Sequence, residues 1–176
     1  MKSAGLLTRA LRGRSVFAVL ALGCAGLLGF GYYLQFTGGL EPCPLCIFQR
    51  LCYFGVAIVA IVAWIQGPVW RGRQIYAVLL ALIALAGLGI AGRQTWLQNL
   101  PADRVPECGP GLEFMLEMYA PFEVLQRVLR GTGDCAKVDW TFLGFSIAEW
   151  SLACFASVLI LAVLIFRSAR RPGMFT

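Results

Sequence analysis

Cysteine is the residue through which this chain can do chemistry. Cys43 and Cys46 sit in a Cys-x-x-Cys step, Glu41-Pro42-Cys43-Pro44-Leu45-Cys46, and Cys108 and Cys135 follow as a widely separated second pair. A loop as short as Cys-x-x-Cys adds little stability through chain entropy, and such close pairs usually serve redox or metal chemistry. Pro44 suits the first turn of a helix, where its missing N–H costs nothing. Cys46 then falls in that first turn, where the positive end of the helix dipole favours a thiolate. Arg50 follows four residues later on the same face, placed to stabilise negative charge on sulfur or to hold an anionic acceptor. Histidine is absent, which excludes imidazole catalysis, imidazole metal ligation and Cys-x-x-Cys-His haem attachment. Four thiolates can hold zinc or an iron–sulfur cluster, but the second pair is too widely split for paired Cys-x-x-Cys knuckles. A metal reading is therefore set below redox work or a structural disulfide.

The elements that must position these residues are apolar helices. Apolar types make up 59% of the chain and charged types only 14%, well under the roughly one-quarter charged of a soluble domain. The apolar residues come in runs long enough to cross a bilayer, which takes ~20 residues. No charge occurs between Arg14 and Glu41, between Arg50 and Arg71 or between Arg73 and Arg93, and a last run extends from Trp150 to Phe166. In hydrocarbon the backbone must pair within its own segment, so the expected fold is all-α. It is a single four-helix transmembrane bundle over residues 1–176, with helices near 15–36, 47–66, 74–92 and 145–166 and outer loops near 37–46 and 93–144. The first run is too long for a signal-peptide core and lacks a clear cleavage site, so it reads as a retained helix. Its glycines, with Gly87, Gly89 and Gly92 of the third run, read as close-packing positions.

Charge sets the orientation. Lys2, Arg9, Arg12 and Arg14 precede the first helix, Arg71 and Arg73 join the second to the third, and Arg167, Arg170 and Arg171 follow the fourth; no acid shares that side. The positive-inside rule puts both termini in the cytoplasm, which accounts for the net +6 without nucleic acid. Cys24, Cys52 and Cys154 then lie inside helices, where a lone thiol behaves as a small hydrophobe. Cys43, Cys46, Cys108 and Cys135 all face the extracytoplasmic side, where thiols are oxidised. Three pairings of the four are possible, and Cys108–Cys135 is a candidate structural staple.

Taken together, the chain resembles the disulfide bond formation protein B (DsbB) family along nearly its whole length. The specific motifs are Cys43-Pro44-Leu45-Cys46-Ile47-Phe48-Gln49-Arg50 and Gly133-Asp134-Cys135-Ala136, with Trp140-Thr141-Phe142-Leu143-Gly144 downstream. The resemblance implies a quinone-dependent thiol oxidase of the bacterial inner membrane. It would recharge a periplasmic thioredoxin-fold dithiol oxidase (DsbA-like) and pass electrons to a membrane quinone, ubiquinone or menaquinone. It also implies the disulfides Cys43–Cys46 and Cys108–Cys135. By the same resemblance the partner attacks Cys108 and frees Cys135; the partner's second thiol then resolves the mixed disulfide, or Cys135 attacks Cys43 to give an interloop disulfide, and Cys46 faces the quinone with Arg50 beside it. Arg93, Gln94 and Gln98 are further candidates for the quinone pocket. Gln94 lies where some family members carry a histidine, so an imidazole is missing from quinone protonation here.

Between Cys108 and Cys135, Leu112, Met115, Leu116, Tyr119, Phe122 and Leu125 recur at roughly helical spacing, with Glu113 and Glu117 on another face. This predicts an interfacial amphipathic element that lets Cys135 approach Cys43, interrupted at Pro121. Three other readings remain. A vitamin K epoxide reductase-like enzyme would carry its Cys-x-x-Cys late in the chain, a disulfide-braced scaffold would tolerate loss of Cys43 or Cys46, and a cysteine-lined metal transporter would purify with stoichiometric metal.

Overall fold

A computed structural model describes residues 13–106 and 112–169. Its frame is four long helices: α1 (Ser15–Gly38), α2 (Pro44–Gln66), α3 (Trp70–Gln98) and α6 (Ile147–Ala169). All four are long and apolar enough to cross a membrane. α1 packs on α2, α2 on α3, and α3 most extensively on α6. Between α3 and α6 the chain forms α4 (Leu112–Met118), α5 (Pro121–Arg130), a 3₁₀ turn at Gly133–Cys135 and a small hairpin, β1 (Thr141–Phe142) with β2 (Phe145–Ser146).

Local chemistry sets the ends of these helices. Cys43 is the N-cap of α2: its sulfur accepts the N–H of Cys46 at 3.4 Å, and Pro44 takes the first helical position. Gly67 closes α2 in the left-handed conformation and returns its N–H to Ala63. Gly67 also lies against the start of α1, where a Cβ would meet the Arg14 guanidinium. The start of α6 is fixed by a capping box. Ser146 Oγ accepts the N–H of Glu149, and Glu149 returns to accept the N–H of Ser146 at 2.7 Å.

Two apolar clusters organise the interior. The larger, including Phe17, Val56, Leu80, Phe155 and Ile165, holds the four helices together. In it the rings of Tyr53 and Phe155 stack at 4.3 Å. Phe155 lies directly against Gly87, where a Cβ would come within 2.5 Å of the ring. Gly92 also faces α6, through Leu152. Of the α1 glycines only Gly31 faces a neighbouring helix, its Cβ position lying 3.8 Å from the Arg50 guanidinium of α2; Cβ atoms on Gly23, Gly26 and Gly29 would touch nothing within 4 Å, and Gly89 of α3 is equally open. Those four sit on faces with no helix opposite among the described residues.

The second cluster, at the Cys43 end, joins Leu45, Ile90, Leu97, Met115, Val124, Val128 and Cys135. Through it α5 lies over α2 and α3, with Val124 and Val128 almost fully buried; each contributes roughly 1.5 kcal/mol or more. The face that packs is thus Met115, Val124 and Val128, while Phe122, Leu125 and Leu129 stay exposed on the other side. α3 also runs on to Gln98 instead of stopping near Gly92. Its polar last turns stay helical because each side chain finds a partner there, as the site geometry makes plain.

Candidate thiol–disulfide site

The sulfurs of Cys43, Cys46 and Cys135 come together where the N-terminus of α2 meets the end of α3. Cys43 is placed by the cap of α2 and Cys46 by its first turn. The Cys43 thiol donates to Cys46 Sγ at 2.9 Å. Cys135, fully buried, arrives from the 3₁₀ turn after α5 and shares an apolar cluster with Cys43. All six described cysteines are free thiols, and Cys108 lies outside the described residues.

The two loop thiols that meet here have opposite electrostatics. The S–H of Cys43, aided by backbone N–H groups of Thr132 and Leu45, pulls Cys135 down to about 6, against the opposing effect of burial. The Thr132 hydroxyl adds a longer contact at 3.8 Å. Cys43 is pushed strongly upward, first by the proton it shares with Cys135, then by the one it shares with Cys46 and by burial. Cys135 is therefore the more acidic thiol of this pair, and Cys43 is the sulfur beside it.

A pair of buried glutamines stands over the sulfurs. Gln49 Nε2 donates to Gln94 Oε1 at 2.6 Å, and Gln94 Nε2 donates to Cys46 Sγ at 3.1 Å and Cys43 Sγ at 3.5 Å. Because Gln49 occupies the carbonyl of Gln94, the amide of Gln94 must turn its N–H groups toward sulfur. The sequence motif includes Gln49 without assigning it a role, although a polar residue three positions after Cys46 in an apolar helix shares its face.

Beneath the sulfurs opens a cavity of about 1140 Å³ between α1, α2, α3 and α6, lined by Leu27, Leu34, Cys46, Arg50, Gln94 and Trp140 among others. Arg50 is braced toward it by α1: its guanidinium donates to Gly31 O at 3.1 Å and to Gln35, and lies 4.7 Å from the Tyr32 ring centroid. Gln98 lines the cavity too and accepts from Ser146 Oγ at 2.8 Å. The sequence signal for that capping box is the Ser-x-x-Glu step Ser146-Ile147-Ala148-Glu149. Arg93 departs from expectation. It does not line the cavity but reaches the other way, to Leu129 O at 3.2 Å and Arg130 O at 2.6 Å. It is one helical position from Gln94, which turns it away from the sulfurs by about 100°.

Comparison with known proteins agrees with this architecture. Residues 13–165 match the family described as disulfide bond formation protein DsbB. A disulfide bond formation protein B of Aromatoleum aromaticum is 50% identical over 160 residues, covering 91% of this chain and 95% of its own length. One from Marinobacter nauticus is 47% identical over 159 residues (90% and 95%), and one from Hahella chejuensis is 47% identical over 162 residues (92% and 97%).

Proposed function

The chain belongs to the DsbB family of membrane disulfide bond formation proteins, and from that premise we propose that it reoxidises a periplasmic thioredoxin-fold dithiol oxidase and delivers the electrons to a membrane quinone. The protein is a multi-pass component of the inner membrane. Its cysteine loops face the periplasm and both termini face the cytoplasm, in keeping with Arg14, Arg71, Arg73 and Arg167 at one end of the bundle.

The observation that carries this reading is the meeting of three sulfurs above an apolar cavity with a fixed guanidinium. In the oxidised protein the pairs are Cys43–Cys46 and Cys108–Cys135. A thiolate of the reduced partner attacks Cys108, forming a mixed disulfide and releasing Cys135 as a thiolate. Cys135 then attacks Cys43, and the Cys43–Cys46 bond breaks with its electron pair left on Cys46. Exchange of this kind proceeds by thiolate attack on one sulfur and departure of the other. The first turn of α2, the Gln94 amide and Arg50 together receive the negative charge that appears at Cys46.

The cavity suits a quinone in size and chemistry: it is roomy, walled by residues such as Leu27, Leu28, Leu34 and Ile47, and supplied at the headgroup end with the sulfurs of Cys43 and Cys46 and the Arg50 guanidinium. Bound there, a quinone supplies a two-electron, two-proton sink. Because the partner dithiol gives up two protons with its two electrons, the reaction balances without histidine. The protein's own part is to hold Cys46 and Arg50 at the cavity wall and to keep bulk water from the sulfurs with the lid of α5.

The test combines purified protein, a quinone and a reduced thioredoxin-fold oxidase. Quinone absorbance should fall in step with thiols lost, and Cys46→Ser should abolish the loss. Undiminished turnover in Cys46→Ser would overturn the relay.

A further inference from the structure

The guanidinium that turns away from the cavity closes a contact of its own. The last carbonyls of a helix have no partner within it and carry the negative end of its dipole. In α5 the N–H of Gly131 serves Arg127 O and Val128 O, and Arg93 serves the next two, Leu129 O and Arg130 O. The Arg93 guanidinium is itself held over the Trp96 ring, 4.3 Å from its centroid, so the fork is pre-aimed from α3. Directly after it the chain presses on α3 again: Gly131, at φ +79, leaves room for no side chain, because a Cβ would come within 2.3 Å of Leu97 Cδ1. Four residues later Cys135 is buried against Cys43 and the N–H of Leu45.

We propose that Arg93 is a positioning residue, a latch that seats the end of α5 on α3 and so delivers Cys135 to Cys43. The inference rests on the exchange between those two sulfurs proposed above. The latch acts on a short tether: from Arg130 to Cys135 the chain includes Gly131 and Gly133 and makes its next buried contacts only at Gly133 and Cys135. Freeing the carbonyl end of α5 therefore lets the sulfur of Cys135 wander even while Val124 and Val128 stay packed. Lysine at position 93 keeps the charge but offers a point donor instead of a fork, so it restores the latch in part.

The experiment uses the full chain in lipid nanodiscs carrying Cys46→Ser and Cys108→Ser, which leaves Cys43 and Cys135 as the loop thiols. Diamide is added; it takes two electrons and two protons and becomes the hydrazine as the two thiols become one disulfide. The Cys43–Cys135 bond is followed by non-reducing peptide mapping. Arg93→Gln should slow its formation about tenfold, equivalent to about 1.4 kcal/mol, and Arg93→Lys should recover part of the rate. Gly131→Ala, with Arg93 intact, should slow it comparably by lifting the tether off Leu97. Pulsed alkylation of the fully reduced variants should show Cys135 newly accessible while Cys24, buried inside the bundle, stays protected, whereas general loosening would expose both. If the background protein itself fails to form the bond, the exchange reading fails and the latch with it. If the background protein forms the bond readily and Arg93→Gln keeps pace, the latch alone is wrong. Should Arg93→Gln not fold, Gly131→Ala decides, and an unslowed rate there overturns the proposal.

Discussion

Lowering the pH separates Cys135 from every ordinary thiol in the protein. Its pKa falls from 9.0 to about 6, so the reduced form is mostly thiolate from just above pH 6 upward. At pH 7 that gives roughly 90-fold more thiolate than an unshifted thiol, but a weaker base is a poorer nucleophile. With a Brønsted slope of ~0.4–0.5 over about three units, reactivity per thiolate drops roughly 20-fold, leaving a net advantage of a few-fold at pH 7. At pH 6 the thiolate ratio is about 500-fold and the net advantage about 20-fold. The advantage therefore grows toward acid. The assay is pulsed labelling of fully reduced protein with bromobimane from pH 4.5 to 9.5, with Cys135 quantified by peptide mapping. Its labelling rate should be flat above about pH 7 and fall tenfold per unit well below the midpoint near 6. Cys43, pushed upward by the protons it shares with Cys135 and Cys46, should label last. The decisive variant is Cys43→Ala, which removes the largest cause of the Cys135 shift and should move the midpoint up toward 9.0. Thr132→Val, which deletes a hydroxyl 3.8 Å away, should move it only slightly. A parent midpoint near 9, or a midpoint indifferent to Cys43→Ala, would refute the account of Cys135 as the poised nucleophile.

Two stability measurements follow. Gly87→Ala should destabilise the bundle by about 1–3 kcal/mol through overpacking, since its Cβ would press on the Phe155 ring at 2.5 Å, whereas Gly89→Ala, open on all sides, should change detergent melting by less than about 0.5 kcal/mol. Gln94→Leu should cost about 1–3 kcal/mol by stranding the buried Gln49 amide, and Gln49→Leu combined with it should cost clearly less than the two single changes added together. Additivity in that cycle would mean the two amides do not act as a pair.

The four spans were legible because apolar runs bounded by arginine admit little else, and Pro44 after Cys43 announced the start of α2. What escaped the sequence was pairing across elements. Arg93, Gln94 and Gln98 looked alike as polar residues just beyond an apolar run, yet α3 carries all three. Gln94 and Gln98 turn to the cavity and Arg93 to the end of α5. The glycines of α1 looked like packing positions, but a small residue tells nothing about whether a helix lies opposite. The β hairpin was invisible for a local reason: its turn puts Leu143 at φ 54 and Gly144 at φ 84, and leucine is a rare choice where asparagine is the usual signal. The approach of Cys135 to Cys43 depends on Val124 and Val128 finding Leu45, Ile90 and Leu97, a match between three helices that no single stretch encodes.

The glutamine that stands over the two sulfurs has a consequence for where such a protein can work. An amide neither gains nor loses a proton across the range in which bacteria live, so the hydrogen-bond donor above Cys43 and Cys46 is the same in sour surroundings as in alkaline ones. An imidazole in that place would gain or lose a positive charge near neutrality and tie the electrostatics over the sulfurs to the acidity outside the cell. Here that dependence falls to the sulfur atoms alone.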